Sequence, residues 1–254
     1  MNEMKDKVVL ITGATSGIGF ATAMYLAKLG ANVVGTARHE TDLVTELKKV
    51  GARGALLLQA DMTQEDEVRN MINETIEAFG RLDCAFNNAG IFIHEASLEE
   101  HLTDTWHDVI TSNLTSIYLC MKYEINAMRR TEHGGVVINN ASVVGHRGSA
   151  ASGIAYTTAK HGVIGLTRQA AITYATSGIR INAISPGPTL TPATSPGIDL
   201  KDSASRAKIG QLNPTEQMVP IETIAATVAF LCSDQAKGIN GHDIPIDGGQ
   251  LVKL

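Results

Sequence analysis

Two side chains past the middle of the chain are spaced for proton chemistry. Tyr156 and Lys160 stand four residues apart in Ala155-Tyr-Thr-Thr-Ala-Lys160, which opens a helical stretch running on through Val163, Leu166, Thr167 and Ala170. Residues four apart on a helix share a face. An ammonium within a few ångströms favours a phenolate, so Tyr156 is predicted to titrate well below the ~10 of a free phenol. Such a tyrosine can donate or accept a proton near neutral pH. Upstream, Ser142 closes the apolar run Gly135-Val-Val-Ile-Asn-Asn-Ala-Ser142. That places it at the carboxyl end of a strand, the edge where open parallel sheets bind ligands. Asn113 sits in the middle of a long helical stretch, 103–128, although asparagine prefers caps and turns. A side chain bonded to a neighbouring backbone group would account for it.

A second kind of chemistry is carried by main chain. Lys7-Val-Val-Leu-Ile11 has the look of a strand buried on both faces, and it runs into Thr12-Gly-Ala-Thr-Ser-Gly-Ile-Gly19 and then a good helix former, Phe20 to Leu29. Strand, glycine-rich turn and helix together aim backbone N–H groups and the positive end of a helix dipole at a phosphate. Gly13, Gly17 and Gly19 allow a tight turn, close approach of a pyrophosphate and close helix–strand packing. A second strand, Ala31 to Thr36, ends where an acidic side chain would select NAD(H) by bonding the ribose 2′-hydroxyl. Here Thr36-Ala37-Arg38 stands instead and the first carboxylate is Glu40. A guanidinium can pair a 2′-phosphate, so NADP(H) is favoured over NAD(H), with a solvated loop arginine as the plain alternative.

Composition bounds the rest. The 254 residues are 44% hydrophobic, enough for one large α/β core over 1–254. A net charge of −5 without a basic stripe argues against nucleic acid and membrane surfaces. Cys84, Cys120 and Cys232 are far apart in apolar surroundings, and the eight histidines lack ligand spacing. They read as reduced core thiols of a cytoplasmic protein with no metal site. No apolar signal core and no bilayer-length run is present.

The remaining strands and helices alternate. Strands are read at Gly54–Ala60, Leu82–Phe86 and Ile179–Ser185, with a last edge strand at Ile244-Pro-Ile; helices fall near 64–79, 155–176 and 221–231. That order gives a Rossmann-type, doubly wound parallel sheet of about seven strands with helices on both faces. Five of the seven prolines lie between Pro186 and Pro214, making 187–216 an irregular loop region, taken as the substrate-binding part.

The G-x-x-x-G-x-G turn after Thr12, Asn87-Asn-Ala-Gly90, Ser142 and Tyr156-x-x-x-Lys160, in this order, resemble the short-chain dehydrogenase/reductase family across nearly the whole chain. The resemblance implies reversible hydride transfer between a nicotinamide and an alcohol or carbonyl. It implies that Ser142 bonds the substrate oxygen and that Tyr156 is the general acid/base. Lys160 would lower the Tyr156 pKa and hold the nicotinamide ribose, and Asn113 would hold a water that relays protons. The turn residues Thr15, Ser16 and Ile18 would line the cofactor with the glycines, and Asp61 and Met62 would meet the adenine. Asp61 is also read as a helix N-cap. Asn88, Ala89 and Gly90 would close over the ribose, and Pro186, Gly187, Thr189 and Thr191 would meet the nicotinamide. Ile93, His94, Val144, Gly145, His146, Ser152 and the loop 189–214 are expected around the substrate. A homo-oligomer, tetramer or dimer, is expected through the helices near 103–128 and 155–176 and the tail 250–254. Two alternatives stay open: a catalytically silent nucleotide sensor or scaffold on the same fold, and a dehydratase or epimerase using the same cofactor.

Overall fold

Alternating side chains of one strand serve two cores, and this sets the architecture. In β1 (Val8–Ile11), Val8 and Leu10 pack into one apolar cluster and Val9 and Ile11 into another, all four fully or nearly fully buried. A strand buried on both faces belongs in the middle of a parallel sheet. The computed structural model describes residues 4–93, 95–131, 133–150, 152–191 and 203–253, apart from the side chains of residues 205, 206 and 208. Within it β1 is joined by β2 (Asn32–Ala37), β3 (Gly54–Gln59), β4 (Cys84–Asn87), β5 (Gly135–Asn140), β6 (Ile179–Pro186) and β7 (Asp243–Ile246). The order is β3-β2-β1-β4-β5-β6-β7 and every pairing is parallel. The chain reverses its direction of growth between β1 and β4, and the carboxyl ends of strands at such a reversal open a crevice.

Helices cover both faces. The side holding Leu10 is packed by α3 (Glu65–Phe79), α5 (Ser116–Arg129) and α6 (Ile154–Tyr174), and the side holding Ile11 by α1 (Gly17–Lys28), α2 (Leu43–Val50) and α8 (Ile221–Cys232). Pro245 lies in β7 at the sheet edge, opposite Ser185, where a missing N–H costs no ladder bond on the open side.

Three elements depart from the expectations. The helix expected over 103–128 is α4 (Thr103–Ile110) and α5 separated by a π turn, Thr111–Thr115, with Asn113 at its centre. Such bulges often mark functional sites and create a place for a residue that disfavours regular helix. Helix α2 was not read from the sequence. A short helix, α7 (Ser203–Gly210), lies within the region 187–216 taken as irregular; residues 192–202 of that region lie outside the described residues.

Candidate active site

The carboxyl ends of β1, β4, β5 and β6 open onto one cleft of roughly 470 Å³. At one end its wall is the turn from β1 into α1. Gly13 and Gly17 have φ of +66° and +53°, a conformation L side chains rarely adopt. A Cβ on Gly19 would stand 2.2 Å from the Gly13 carbonyl oxygen. Gly19 therefore serves helix-to-turn packing, and of the residues expected to catalyse or to bind the cofactor it alone does not line the cleft. Thr15 and Ser16 just ahead of α1 and Gly17 and Ile18 in its first turn do line it, so N–H groups without intrahelical partners and the dipole face the space. This is a cradle that side chains would fill, and it fits a pyrophosphate.

The turn after β4 is tied to that loop. Asn88 and Ala89 donate backbone N–H groups to Thr12 Oγ1, each at 2.9 Å, and Asn88 Nδ2 donates to the Thr12 carbonyl at 3.0 Å. Gly90 completes the turn because Asn113 Oδ1 lies where its Cβ would be, at 2.5 Å. Asn113 is buried; its Oδ1 accepts from Ile91 N at 3.2 Å and its Nδ2 donates to the Val109 carbonyl at 2.9 Å. The backbone-bonded reading of this residue is thus observed, and it pins the chain after β4 to the π turn.

Beyond β2, Arg38 is exposed at the cleft mouth and makes no ion pair among the described residues. Asp61 and Met62 line the cleft beside it. The N-cap reading of Asp61 is corrected: α3 begins after Gln64, and Asp61 Oδ1 accepts from Thr63 N at 2.9 Å and Thr63 Oγ1 at 2.8 Å, closing a turn before the helix.

Ser142, Tyr156 and Lys160 meet at the end of β5. The Ser142 hydroxyl is hydrogen-bonded to Tyr156, whose ring packs edge-on against Phe92 with centroids 5.1 Å apart. Lys160 Nζ lies 5.4 Å from the Tyr156 ring centre and donates to the Asn140 carbonyl at 2.7 Å. The expected lowering of the Tyr156 pKa is not what this surrounding produces. Burial pushes the phenol up to about 12, against a smaller pull from the bond to Ser142, and burial brings Lys160 down to about 8. Desolvation wins because Lys160 is buried and Tyr156 half-buried, and the ammonium spends its bond on a neutral carbonyl.

Pro186, Gly187, Thr189 and Thr191 line the wall opposite, after β6. Of the residues expected around the substrate, Val144 and Ser152 line the cleft, whereas Ile93, Gly145 and His146 do not, and His94 lies outside the described residues. His146 turns away to bond Asp243 of β7, and Gly145 is pressed against the Lys160 carbonyl, where a Cβ would come to 2.8 Å. Leu212, in the loop 189–214 expected around the substrate, is on the wall; the sequence reading missed Phe92, Asn140 and Gln250, also on it. Asn140 carried a signal, since two adjacent amides, Asn139 and Asn140, end an apolar strand; the others carried none. Among the described residues no cluster of His, Cys, Asp or Glu could hold a metal.

A protein-family model described as Enoyl-(Acyl carrier protein) reductase matches residues 13–250. The chain is 36% identical to a 3beta-hydroxysteroid dehydrogenase of Mediterraneibacter gnavus, the match covering 98% of this chain and 96% of the relative. It is 40% identical to a cis-4-hydroxycyclohexanecarboxylate dehydrogenase of Sinomonas cyclohexanicum, over 96% of each. The crystal structure of levodione reductase has a TM-score of 0.91 and 37% identity, covering 99% of this chain and 100% of that one. A seven-stranded parallel sheet, a glycine turn open at its switch point and full-length kinship to such enzymes lead to one family: the chain belongs to the short-chain dehydrogenases/reductases, NAD(P)-using oxidoreductases that act on CH–OH groups.

Proposed function

We propose that this protein interconverts a secondary alcohol and a ketone on an uncharged saturated ring, with NADP(H) preferred. One observation carries the reading: a hydroxyl, a phenol and an ammonium stand together at the carboxyl end of β5, in the same cleft as the glycine cradle. Ser142 holds the carbonyl oxygen. Tyr156, a phenol at neutral pH, donates its proton to that oxygen as negative charge develops there. Lys160 supplies positive charge beneath the ring and a donor for a ribose. Asn113, which lines the cleft with its side chain bonded to Ile91 and Val109, holds the relay water. A nicotinamide bound here supplies or takes the hydride. Gly13 to Gly19 take its pyrophosphate, with Asp61 and Met62 at the adenine, Asn88 to Gly90 at the ribose and Pro186 to Thr191 at the nicotinamide.

Cofactor choice rests on Arg38, exposed beside the cleft mouth and without a carboxylate partner among the described residues. Substrate class rests on the wall near Tyr156. Phe92, Val144, Pro188 and Leu212 present apolar surface, with Ser149, Ser152 and Gln250 among them. Arg38 and Lys160 are the only cations among the described lining residues, so an anionic carrier-bound substrate finds no counter-charge. The names of the hydroxysteroid and hydroxycyclohexane relatives support a ring-borne hydroxyl. Exposed Tyr118 on α5 and Ile172 on α6 support a homo-oligomer, dimer or tetramer, built through these helices. Three buried, unbridged cysteines favour a reducing compartment, the cytoplasm.

Initial rates with cyclohexanone, a 3-oxosteroid and an acyl thioester, each with NADPH and NADH, test the reading. The ring ketones are expected to turn over with NADPH, and Arg38→Leu to remove most of the preference over NADH, a loss of about 1.5–3 kcal/mol in the 2′-phosphate contact. Turnover of the thioester alone, or equal use of both cofactors by the unmodified protein, overturns it.

A further inference from the structure

We propose that Glu95 is a positioning residue for Tyr156: its carboxylate clamps the first turn of α6 and so fixes where the phenol stands. The inference rests on the reading of Tyr156 as the proton donor and adds the part of the molecule that places it.

Glu95 lies in the connection from β4 to α4, and its side chain is fully buried. The Oε2 atom accepts from Ala155 N at 2.8 Å and Oε1 from Tyr156 N at 3.0 Å. Helix starts leave such N–H groups without intrahelical partners, and Gly153, the N-cap, has no side chain to offer. One carboxylate therefore satisfies two of them, at the positive end of the dipole, through charge-assisted bonds. The same oxygen, Oε2, lies 3.0 Å from His101 Nε2, and His101 Nδ1 lies 3.1 Å from the Leu102 carbonyl oxygen. The His101 ring thus braces the carboxylate from the side away from α6. Its side chain is 6% exposed.

Gly153 supplies an independent observation. Its φ and ψ, −78° and 165°, suit any residue, so backbone strain does not call for glycine. Contact does: a Cβ there would stand 1.9 Å from Glu95 Cδ. The helix start is hollowed for this side chain. Phe92, from the same connection, presses edge-on against the Tyr156 ring. The connection thus holds Tyr156 by its main chain through Glu95 and by its ring through Phe92. Because a misplacement of about 1 Å at a reacting group costs on the order of 100-fold in rate, loosening this grip is expected to appear in kcat.

The test uses Glu95→Ala, Gly153→Ala, their combination and Glu95→Gln, with Tyr156→Phe as reference. Ring-ketone reduction by NADPH, NADPH affinity by fluorescence and amide hydrogen exchange at Ala155 and Tyr156 are measured on each. Each alanine variant is expected to lose about 10-fold or more in kcat, with NADPH affinity held within about twofold. The double variant is expected to be no worse than Glu95→Ala, because the three atoms nearest the added Cβ, all of Glu95, are then gone. Glu95→Gln, which keeps the volume and one accepting oxygen, recovers part of the loss. Exchange at the two amides rises in Glu95→Ala. Folded variants with kcat within about twofold of the parent, or single losses that multiply in the double variant, overturn the proposal. Should Glu95→Ala not fold, Gly153→Ala and Glu95→Gln decide it. Full activity of Tyr156→Phe defeats the catalytic reading alone, and the clamp is then judged on the exchange of the two amides.

Discussion

Around Gly13, Gly17 and Gly19 the cleft wall is main chain, and its shape follows from what is missing: side chains at positions of positive φ or impossible contact. Around Tyr156 the wall is made of side chains drawn from segments far apart in sequence, Phe92 from the β4–α4 connection, Ser142 from just past β5, Leu212 after α7 and Gln250 from the C-terminal turn. On the proposed reading, the first surface recognises what every nicotinamide dinucleotide shares, and the second decides which molecule reacts and where the proton goes. A wall of backbone is announced by glycine spacing, whereas a wall of side chains depends on long-range folding and leaves no compact motif.

If the contrast is real, each end should fail in its own way. A large effect on cofactor affinity is expected at the backbone end. Gly19→Val places bulk against the Gly13 carbonyl and distorts the cradle, so NADPH affinity should fall by about 100-fold or more while Tyr156 and its partners stay in place. Titration of NADPH into the folded variant, checked by circular dichroism, measures it; unchanged affinity would mean the cradle is not the anion site.

A smaller effect tests what lies under both ends. Glu124 of α5 is fully buried, accepts from Asn87 Nδ2 at 3.0 Å and is pushed by burial from 4.5 up to about 8. Its second oxygen, Oε1, and Asn87 Oδ1 have no partner among the described residues. A folded-state pKa raised in this way favours folding while the carboxyl is neutral. That stability is full below about 4.5 and is lost as pH rises through about 8, at about 1.4 kcal/mol per pH unit across the window. Glu124→Gln removes the titrating group. Its melting temperature should match the parent near pH 5 and exceed it near pH 9; parallel curves across that range would refute the buried neutral acid.

How far the sequence could be read follows the same division. β1 and the glycine turn were legible because a doubly buried strand, fixed glycine spacing and a following helix are local patterns. Ser142, Tyr156 and Lys160 were legible because a strand end and one helix face place them. The π turn at Asn113 was visible only as an ill-placed asparagine, since the cause, bonds to Ile91 and Val109, includes a partner outside the helix. Glu95 stands in no motif; only the fold brings the α6 N-terminus and His101 to it. The Tyr156 pKa was misjudged for a related reason. Sequence spacing shows that an ammonium is near, but not that burial weighs on both groups and that Asn140 takes the lysine's bond.

The division of labour between the two walls is tested most directly by one paired measurement on Tyr156→Phe, the variant that deletes a hydroxyl while keeping the ring against Phe92. Turnover of a verified ring ketone and NADPH affinity are measured on the same preparation. The account predicts a loss of ~10²–10⁴-fold in kcat with NADPH affinity essentially unchanged, because general acid catalysis is removed and the cradle is untouched. Full activity would contradict it.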